Sequence, residues 1–302
     1  MSIWNNHGRW LSGLFLTAVI LTGCTTQPPA EKSGDSAQLG GETSQSSSQS
    51  QGDTSSSQGG EDQSTQSPDG SQQDTGTESQ PAAAYDFSKP CPESEAVDNS
   101  YFEDAAFIGD SRTDGFLIYS GIGCGENLTS NGLSIFKLGT KKALTIDGQQ
   151  YTLLEALALK EYGKVYLSLG VNELGYYDDE GFYKAYCDAI DAIRACQPNA
   201  VIYIQGLIPL NEDKIAESGG ASYLTNEHLL VYNDLMKKAA EEKQVVFLDL
   251  NPEFSGPDGQ LPADASKDGV HLRSDYCKAW LEYLKTHTVS YETLYPEGGT
   301  TV

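Results

Sequence analysis

Three short motifs carry side chains whose types and order could cleave an ester: residues 109–111 (GDS), 170–173 (GVNE) and 268–271 (DGVH). Ser111 is the candidate nucleophile, because a serine hydroxyl attacks a carbonyl once a base removes its proton. His271 is the candidate base, since imidazole exchanges a proton near neutral pH. Asp268 stands three residues before His271, so its carboxylate can hold one ring nitrogen while the other faces Ser111. We therefore expect a catalytic triad of these three residues.

The attack creates an oxyanion, which needs N–H donors placed in advance. Asn172 offers a side-chain amide, and the backbones of Ser111 and Gly132 can add two more donors. Gly125 is a second candidate for the glycine position. An alternative remains open at this point, because Gly-Asp-Ser is also an ordinary turn in which Asp and Ser cap the following helix.

Elements that could position these motifs alternate along the chain. Short β-branched and apolar runs predict strands at 105–108, 133–138, 164–169, 201–207 and 245–250. Helical spacing of apolar residues predicts helices at 112–119, 151–162, 179–196, 225–243 and 274–285. Such alternation favours a three-layer α/β/α sandwich with a five-stranded parallel sheet, a flavodoxin-like arrangement. In a parallel sheet the loops after the strands share one edge, so the three motifs can meet there.

The amino-terminal part has a different composition. Residues 1–23 read as a signal peptide, with a polar start carrying Arg9, an apolar run too short to cross a bilayer, and a Leu-Thr-Gly ending before Cys24. This ending resembles the bacterial lipoprotein signal, which implies a lipidated Cys24 and anchoring at the extracytoplasmic face of the cell membrane. A plain signal peptide with an incidental cysteine is the alternative. Residues 24–84 are rich in Ser, Gln and Gly and predict a disordered linker, leaving 85–302 as the folded domain.

Charge and cysteine content exclude several classes of partner. A formal net charge of −24 argues against nucleic acid, because a polyanion would be repelled. The chain has no CxxC or Cys/His spacing typical of zinc sites, so we expect no metal and no cofactor. Cys187 and Cys196 are nine residues apart on one predicted helix and face opposite sides, so they cannot bridge. We expect a monomer.

The order and spacing of GDS, a following glycine block, GVNE and DGVH resemble the SGNH hydrolase superfamily, the GDSL-type lipases and acylhydrolases. The resemblance covers residues 85 to about 288. It implies a metal-free Ser-His-Asp mechanism on esters, with Ser111 as nucleophile and donor, His271 as base, Asp268 as its orienter, and Asn172 and Gly132 as further donors. Glu173 replaces the usual aspartate of the third motif, where it would brace the Asn172 loop by accepting backbone N–H groups.

Arg112 replaces the leucine that usually follows the GDS motif. It would either bind a polar or anionic substrate or lie along the surface, and the surface position is the simpler expectation.

These inferences favour a membrane-tethered extracytoplasmic esterase that removes small acyl groups, such as acetyl, from carbohydrate or another ester. An acyltransferase would use the same residues but pass the acyl group to a sugar hydroxyl. A third hypothesis is a tethered lipoprotein that binds a glycan or peptide without turnover. The motifs do not separate the first two.

Overall fold

A computed structural model describes residues 84–296. The predicted signal peptide, the lipidation of Cys24 and the linker up to residue 83 lie outside the described residues. The strands are β1 Ala105–Gly109, β2 Glu126–Thr129, β3 Leu144–Ile146, β4 Gln149–Tyr151, β5 Lys164–Ser168, β6 Val201–Gln205 and β7 Val246–Leu248. The helices are α1 Ser111–Tyr119, α2 Leu153–Leu157, α3 Asp179–Cys196, α4 Glu212–Glu217, α5 Asn226–Glu242, α6 Asn251–Phe254, α7 Ser274–Thr286 and α8 Tyr291–Leu294.

Five of the strands form one parallel sheet in the order β2-β1-β5-β6-β7. Strand β1 lies between β2 and β5, and Gly109 at its end is paired with Thr129 on one side and Ser168 on the other. The end of β1 is therefore held by hydrogen-bonded neighbours on both sides, at the edge where the GDS motif begins.

Both faces of the sheet are buried, which explains the nearly continuous apolar runs in its inner strands. In β1, Ala106 and Ile108 face a core formed with α2, α3 and α5, whereas Phe107 faces a second core formed with α1 and α7. On the second face, the rings of Phe107, Tyr166 and Tyr203 stack across three neighbouring strands with centroids 4.9 and 4.6 Å apart. The predicted three-layer sandwich with a five-stranded parallel sheet is confirmed.

The prediction of a strand at 133–138 is wrong. The edge strand is Glu126–Thr129, a mostly polar segment in which Leu128 alone is buried. Residues 135–137 instead form a 3-10 turn that begins when the Ser134 side chain accepts the N–H of Phe136. An edge strand needs only one paired side and little apolar surface, so its pattern is weak. Leu133, Ile135 and Leu138 are buried without being in a strand.

The helix predicted at 151–162 is also shorter than expected. Tyr151 ends a two-stranded antiparallel hairpin, β3–β4, and α2 covers only five residues. Thr152 and Glu155 form a reciprocal capping box that fixes the start of α2. The other four predicted helices lie within two residues of their observed bounds.

Three further observations concern residues 84–296. None of their helices combines the length and apolar character required to cross a bilayer. No three of their His, Cys, Asp or Glu side chains are grouped so that they could hold a metal ion. Their five cysteines are all free thiols, of which Cys91, Cys187 and Cys277 are buried.

Candidate active site

The nucleophile candidate sits where β1 passes directly into α1. Asp110 caps the helix, because its Oδ1 accepts the backbone N–H of Arg112 at 2.9 Å, and Ser111 is the first helical residue. The turn is tight enough to require glycine before it. A Cβ at Gly109 would lie 2.1 Å from Oγ1 of Thr113 and 2.9 Å from the carbonyl oxygen of Ser168.

The structure brings the three predicted triad residues together. Oγ of Ser111 lies 2.8 Å from Nε2 of His271, and Nδ1 of His271 lies 2.7 Å from Oδ2 of Asp268. The side chains of His271 and Asp268 are 50% and 44% exposed, so the pair is open to an incoming substrate. Chain segments 160 residues apart thus supply a hydroxyl and an imidazole in direct hydrogen-bond contact.

The ionised state of Asp268 is strongly favoured. Partial burial opposes ionisation, but the backbone N–H and ring of His271 and the backbone N–H of Val270 all donate to the carboxylate. These hydrogen bonds outweigh the burial and hold the pKa of Asp268 well below its usual range. The negative charge of Asp268 next to Nδ1 favours the tautomer of His271 in which Nδ1 carries the proton. Nε2 is then free to accept a proton from Ser111.

Ser266 holds both ends of the loop that carries Asp268 and His271. Its buried hydroxyl lies 2.8 Å from the carbonyl oxygen of His271 and 3.1 Å from Oδ1 of Asp268, and it accepts the N–H of Gly269 at 2.9 Å. Sequence reasoning missed this serine. Its position two residues before the aspartate is the only signal the sequence offers.

Gly269 allows the loop to pass close to Asn211. Its φ is +84°, and a Cβ there would lie 2.3 Å from the carbonyl oxygen of Asn211. The backbone N–H of Asn211 donates to the carbonyl of Gly269 at 2.9 Å. The loop between Asp268 and His271 is therefore fixed against a segment that follows β6.

Asn172 lies in a 3-10 turn after β5, the neighbour of β1. Its Nδ2 donates to Oδ2 of Asp110 at 2.9 Å and to the carbonyl oxygen of Leu133 at 3.0 Å. An amide nitrogen carries two hydrogens, so both are engaged in the resting site. One of these bonds has to be shared or released when Asn172 donates to an oxyanion.

Asp110 is a second residue whose role sequence reasoning missed, since it was considered only as a helix cap. It is buried, and burial raises its pKa to about 6 even though the Arg112 backbone N–H, Arg112 and His271 oppose the shift. Its two oxygens join the nucleophile turn to Asn172. The Asp in the GDS motif therefore orients the amide as well as capping α1.

Gly132 belongs to an exposed turn beside Asn172. Its φ is +66°, and the N–H of Leu133 closes the turn by donating to Ser130 at 3.0 Å. The carbonyl oxygen of Leu133 accepts a hydrogen bond from the side-chain amide of Asn172. This bond connects the loop that carries Gly132 to the loop that carries Asn172. Gly125, the second candidate, precedes β2 at the end opposite to the one that pairs with Gly109, so it is not part of the site.

Glu173 lies beneath this loop pair and is fully buried. Its Oε1 accepts the backbone N–H of Ile135, and its own carbonyl accepts the hydroxyl of Tyr232 at 3.0 Å. Oε2 has no hydrogen-bond partner among the described residues. Burial raises the pKa of Glu173 to about 7, against the opposing effect of the Ile135 N–H.

Arg112 does not lie along the surface, so that expectation is wrong. The side chain is 6% exposed, and Nη1 donates to the carbonyl oxygen of Ile208 at 3.0 Å. Burial lowers its pKa to about 10, while Asp110 and Asp268 act in the opposite direction. The guanidinium is therefore an internal cation placed near two carboxylates of the site.

A cavity of about 310 Å³ contains both Ser111 and His271 in its lining, together with Gly115, Ile118 and Tyr119 of α1 and Asn131. Ile118 and Tyr119 are 60% and 54% exposed. The reacting hydroxyl thus opens onto a depression with a partly apolar wall.

Comparison with known proteins gives a family match. A model of the GDSL-like Lipase/Acylhydrolase family matches residues 107–275. A candidate platelet activating factor from Streptococcus pneumonia is 21% identical with a TM-score of 0.50, and the match covers 67% of this chain and 86% of that one. At this identity the likeness supports the fold alone. A search of curated proteins finds no match.

Two further solved structures are similar. A GDSL-like lipase from Bacteroides thetaiotaomicron is 12% identical with a TM-score of 0.44, over 61% of this chain and 86% of that one. A candidate acylhydrolase from Bacteroides fragilis is 14% identical with a TM-score of 0.46, over 64% and 88%.

The family match begins within β1 and ends at the start of α7, so it includes Ser111, Asn172 and His271. It covers more than half of the chain, and the predicted resemblance is confirmed. The chain belongs to the GDSL-like lipase/acylhydrolase family and is a serine hydrolase that acts on ester bonds.

Proposed function

We propose that the protein is a membrane-tethered extracytoplasmic esterase that removes small acyl groups, such as acetyl, from carbohydrate or another ester by a Ser-His-Asp mechanism. The observation that carries the mechanism is the 2.8 Å contact between Oγ of Ser111 and Nε2 of His271, continued by the 2.7 Å contact between His271 and Asp268. These distances are those that a nucleophile, its base and an orienting carboxylate require.

In the first half-reaction, Oγ of Ser111 bonds to the ester carbonyl carbon as its proton moves to Nε2 of His271. The oxyanion receives N–H groups from Ser111, Gly132 and Asn172. When the intermediate collapses, the bond to the alcohol oxygen breaks, and His271 returns the proton to that oxygen. The alcohol leaves, and the acyl group stays on Ser111.

Water completes the cycle. It attacks the acyl carbon while His271 takes one of its protons, and the bond between Oγ of Ser111 and the acyl carbon then breaks. His271 returns the proton to Oγ, so the products are one carboxylic acid and one alcohol, and the enzyme is unchanged. Asp268 keeps its negative charge throughout and stabilises the imidazolium that forms twice.

The size of the cavity at Ser111 supports a small acyl group. A volume of about 310 Å³ is at the lower end of the range for small-molecule sites. His271 and Asp268 are about half exposed, so most of the substrate can remain outside the cavity. An ester on a carbohydrate has this form, since its acyl group is small and the rest of the molecule stays outside.

The proposed location depends on the amino-terminal sequence. A lipidated Cys24 would hold the chain at the outer face of the membrane, and residues 25–84 would let the domain reach esters at a distance. Metabolic labelling with a fatty-acid analogue tests this part of the proposal. Label should enter the full chain and be lost in Cys24→Ala.

A fluorophosphonate probe tests the mechanism, because it reacts only with an activated serine. The full chain should be labelled, Ser111→Ala should not, and the control Ser222→Ala, on an exposed loop, should be labelled like the unchanged protein. Acid release from acetylated sugars should follow the same pattern. Equal labelling of Ser111→Ala and the unchanged protein would refute the assignment of the nucleophile.

A further inference from the structure

A second cavity borders the catalytic histidine. It has a volume of about 490 Å³ and is lined by Tyr119, Lys267, Asp268, His271, Leu272, Arg273 and Ser274. It shares Tyr119, His271 and Leu272 with the cavity that contains Ser111, but Ser111 itself does not line it. His271 therefore lines two neighbouring depressions.

The chemistry of the proposed function distinguishes the two cavities. The acyl group must stay bonded to Ser111, so it belongs with the cavity that Ser111 lines. The leaving alcohol must receive its proton from His271, so its oxygen lies at the His271 end of the site. The 490 Å³ cavity is lined by His271 and not by Ser111, so it is at this end of the site.

Two cationic side chains border this cavity without a partner. Within residues 84–296, Lys267 and Arg273 form no ion pair and no side-chain hydrogen bond, and both are exposed. Most lysines of this region differ, since Lys142, Lys164, Lys184 and Lys243, among others, are each paired with a carboxylate. The cavity therefore presents two cationic side chains that no carboxylate of the described residues holds in an ion pair.

No carboxylate of the described residues forms an ion pair with Lys267 or Arg273. Asp268 is ionised and lines the cavity, but its oxygens accept hydrogen bonds from Ser266, Val270 and His271 instead. Asp264 accepts the hydroxyl of Tyr276 at 3.1 Å, and Asp275 is paired with Lys278 at 3.1 Å. In a chain with a net charge of −24, two unpaired cations beside the catalytic base are an exception to the general electrostatic character.

From this arrangement we propose that Lys267 and Arg273 form a subsite for an anionic group, a carboxylate or a phosphate, on the alcohol portion of the ester. The proposal rests on the proposed function, because the direction in which the alcohol leaves is taken from the Ser111-His271 mechanism. It adds the substrate class: esters of negatively charged alcohols are preferred over esters of neutral ones.

Three acetyl esters test the subsite, since they keep the acyl group constant and vary the alcohol. They are the esters of glycerol, of lactate and of glycerol phosphate, which are neutral, carboxylate-bearing and phosphate-bearing. Released acetate gives kcat/KM for the full chain, for Lys267→Gln, Arg273→Gln and the double variant, and for Lys184→Gln, which removes the same charge from α3.

The double variant should lose about tenfold in kcat/KM on at least one charged ester, while the neutral ester changes by less than twofold and Lys184→Gln changes neither. The charged ester that responds identifies carboxylate or phosphate as the group bound. Equal rates of fluorophosphonate labelling show that each variant is folded with an intact triad.

Two results would overturn the subsite. The first is an equal loss of kcat/KM on charged and neutral esters in the double variant. The second is a loss of kcat/KM on both charged esters of less than about threefold. In either case hydrolysis dependent on Ser111 would persist, so the proposed mechanism would stand. Failure of the mechanism is recognised separately, since no ester would be cleaved and the probe would not label Ser111.

Discussion

Replacing Glu173 by Gln should change how stability depends on pH. Burial raises the pKa of Glu173 from 4.5 to about 7. The native state therefore resists ionisation of this carboxyl, whereas the unfolded chain does not. One pKa unit is worth about 1.4 kcal/mol, so the difference amounts to about 3 kcal/mol.

The sign follows from the proton bound in each state. Below about pH 4.5 Glu173 is protonated in both states and costs nothing. Between about pH 4.5 and 7 the unfolded chain releases the proton first, so the free energy of unfolding falls as the pH rises. Above about pH 7 the native state carries the whole cost. The amide introduced by Glu173→Gln does not ionise in this range and keeps an acceptor for the N–H of Ile135.

Urea unfolding at several pH values between about 4.5 and 8 measures the effect. The free energy of unfolding of Glu173→Gln minus that of the unchanged protein should grow by about 3 kcal/mol across this range. Asp110, whose pKa is also raised by burial, is present in both proteins, so its own burial cost cancels in the difference, and its charge adds to the raised pKa of Glu173 that the difference reports. Glu161→Gln, at an exposed position, is the matched control for the effect of replacing a glutamate by glutamine.

A flat or falling difference for Glu173→Gln would refute the argument that burial controls this carboxyl. It would mean that the side chain is reached by water or by an unrecognised donor at Oε2, which has no partner among the described residues.

Three further predictions concern the site and its support. Asn172→Ala should lower kcat by about 10²- to 10³-fold with an unchanged circular dichroism spectrum, and turnover like that of the unchanged protein would remove Asn172 from the oxyanion site. Gly269→Ala should lower kcat/KM by about 10²-fold, because a Cβ 2.3 Å from Asn211 displaces His271, whereas Gly148→Ala, with a similar positive φ but open space, should not. Trp280→Phe should cost about 1–3 kcal/mol in urea unfolding, because buried Gln205 loses its 2.9 Å hydrogen bond, and a loss under about 0.5 kcal/mol would contradict this.

Much of the fold could be predicted because the inner strands and long helices have strong local patterns. Helix Asp179–Cys196 was predicted at its observed bounds, since its buried residues recur at helical spacing. The motif order also indicated that Ser111, Asn172 and His271 would converge. The β3–β4 hairpin was missed although Asp147-Gly148, both with positive φ, is a typical hairpin turn.

Other features depend on contacts between distant segments and have no local pattern. The backbone N–H of Ile135 donates a hydrogen bond to the side chain of Glu173, 38 residues away. This N–H therefore has a partner although segment 133–138 is not in a strand. Arg112 looked like a surface residue because arginine usually is one, and only the folded chain brings Ile208 within 3.0 Å of its guanidinium. The engagement of Asn172 by Asp110 likewise appears only when β1 and β5 are neighbours.

The site is built from two structurally different halves. Ser111 and Asn172 follow adjacent strands of the central sheet, so their separation is set by strand spacing and can change only if the core changes. Asp268 and His271 instead belong to a loop outside the sheet, which is held by the Ser266 hydroxyl and by the contact of Gly269 with Asn211, after β6. Substitutions in the flanks of that loop, where the proposed subsite lies, can therefore accumulate without disturbing the half of the site that the sheet holds.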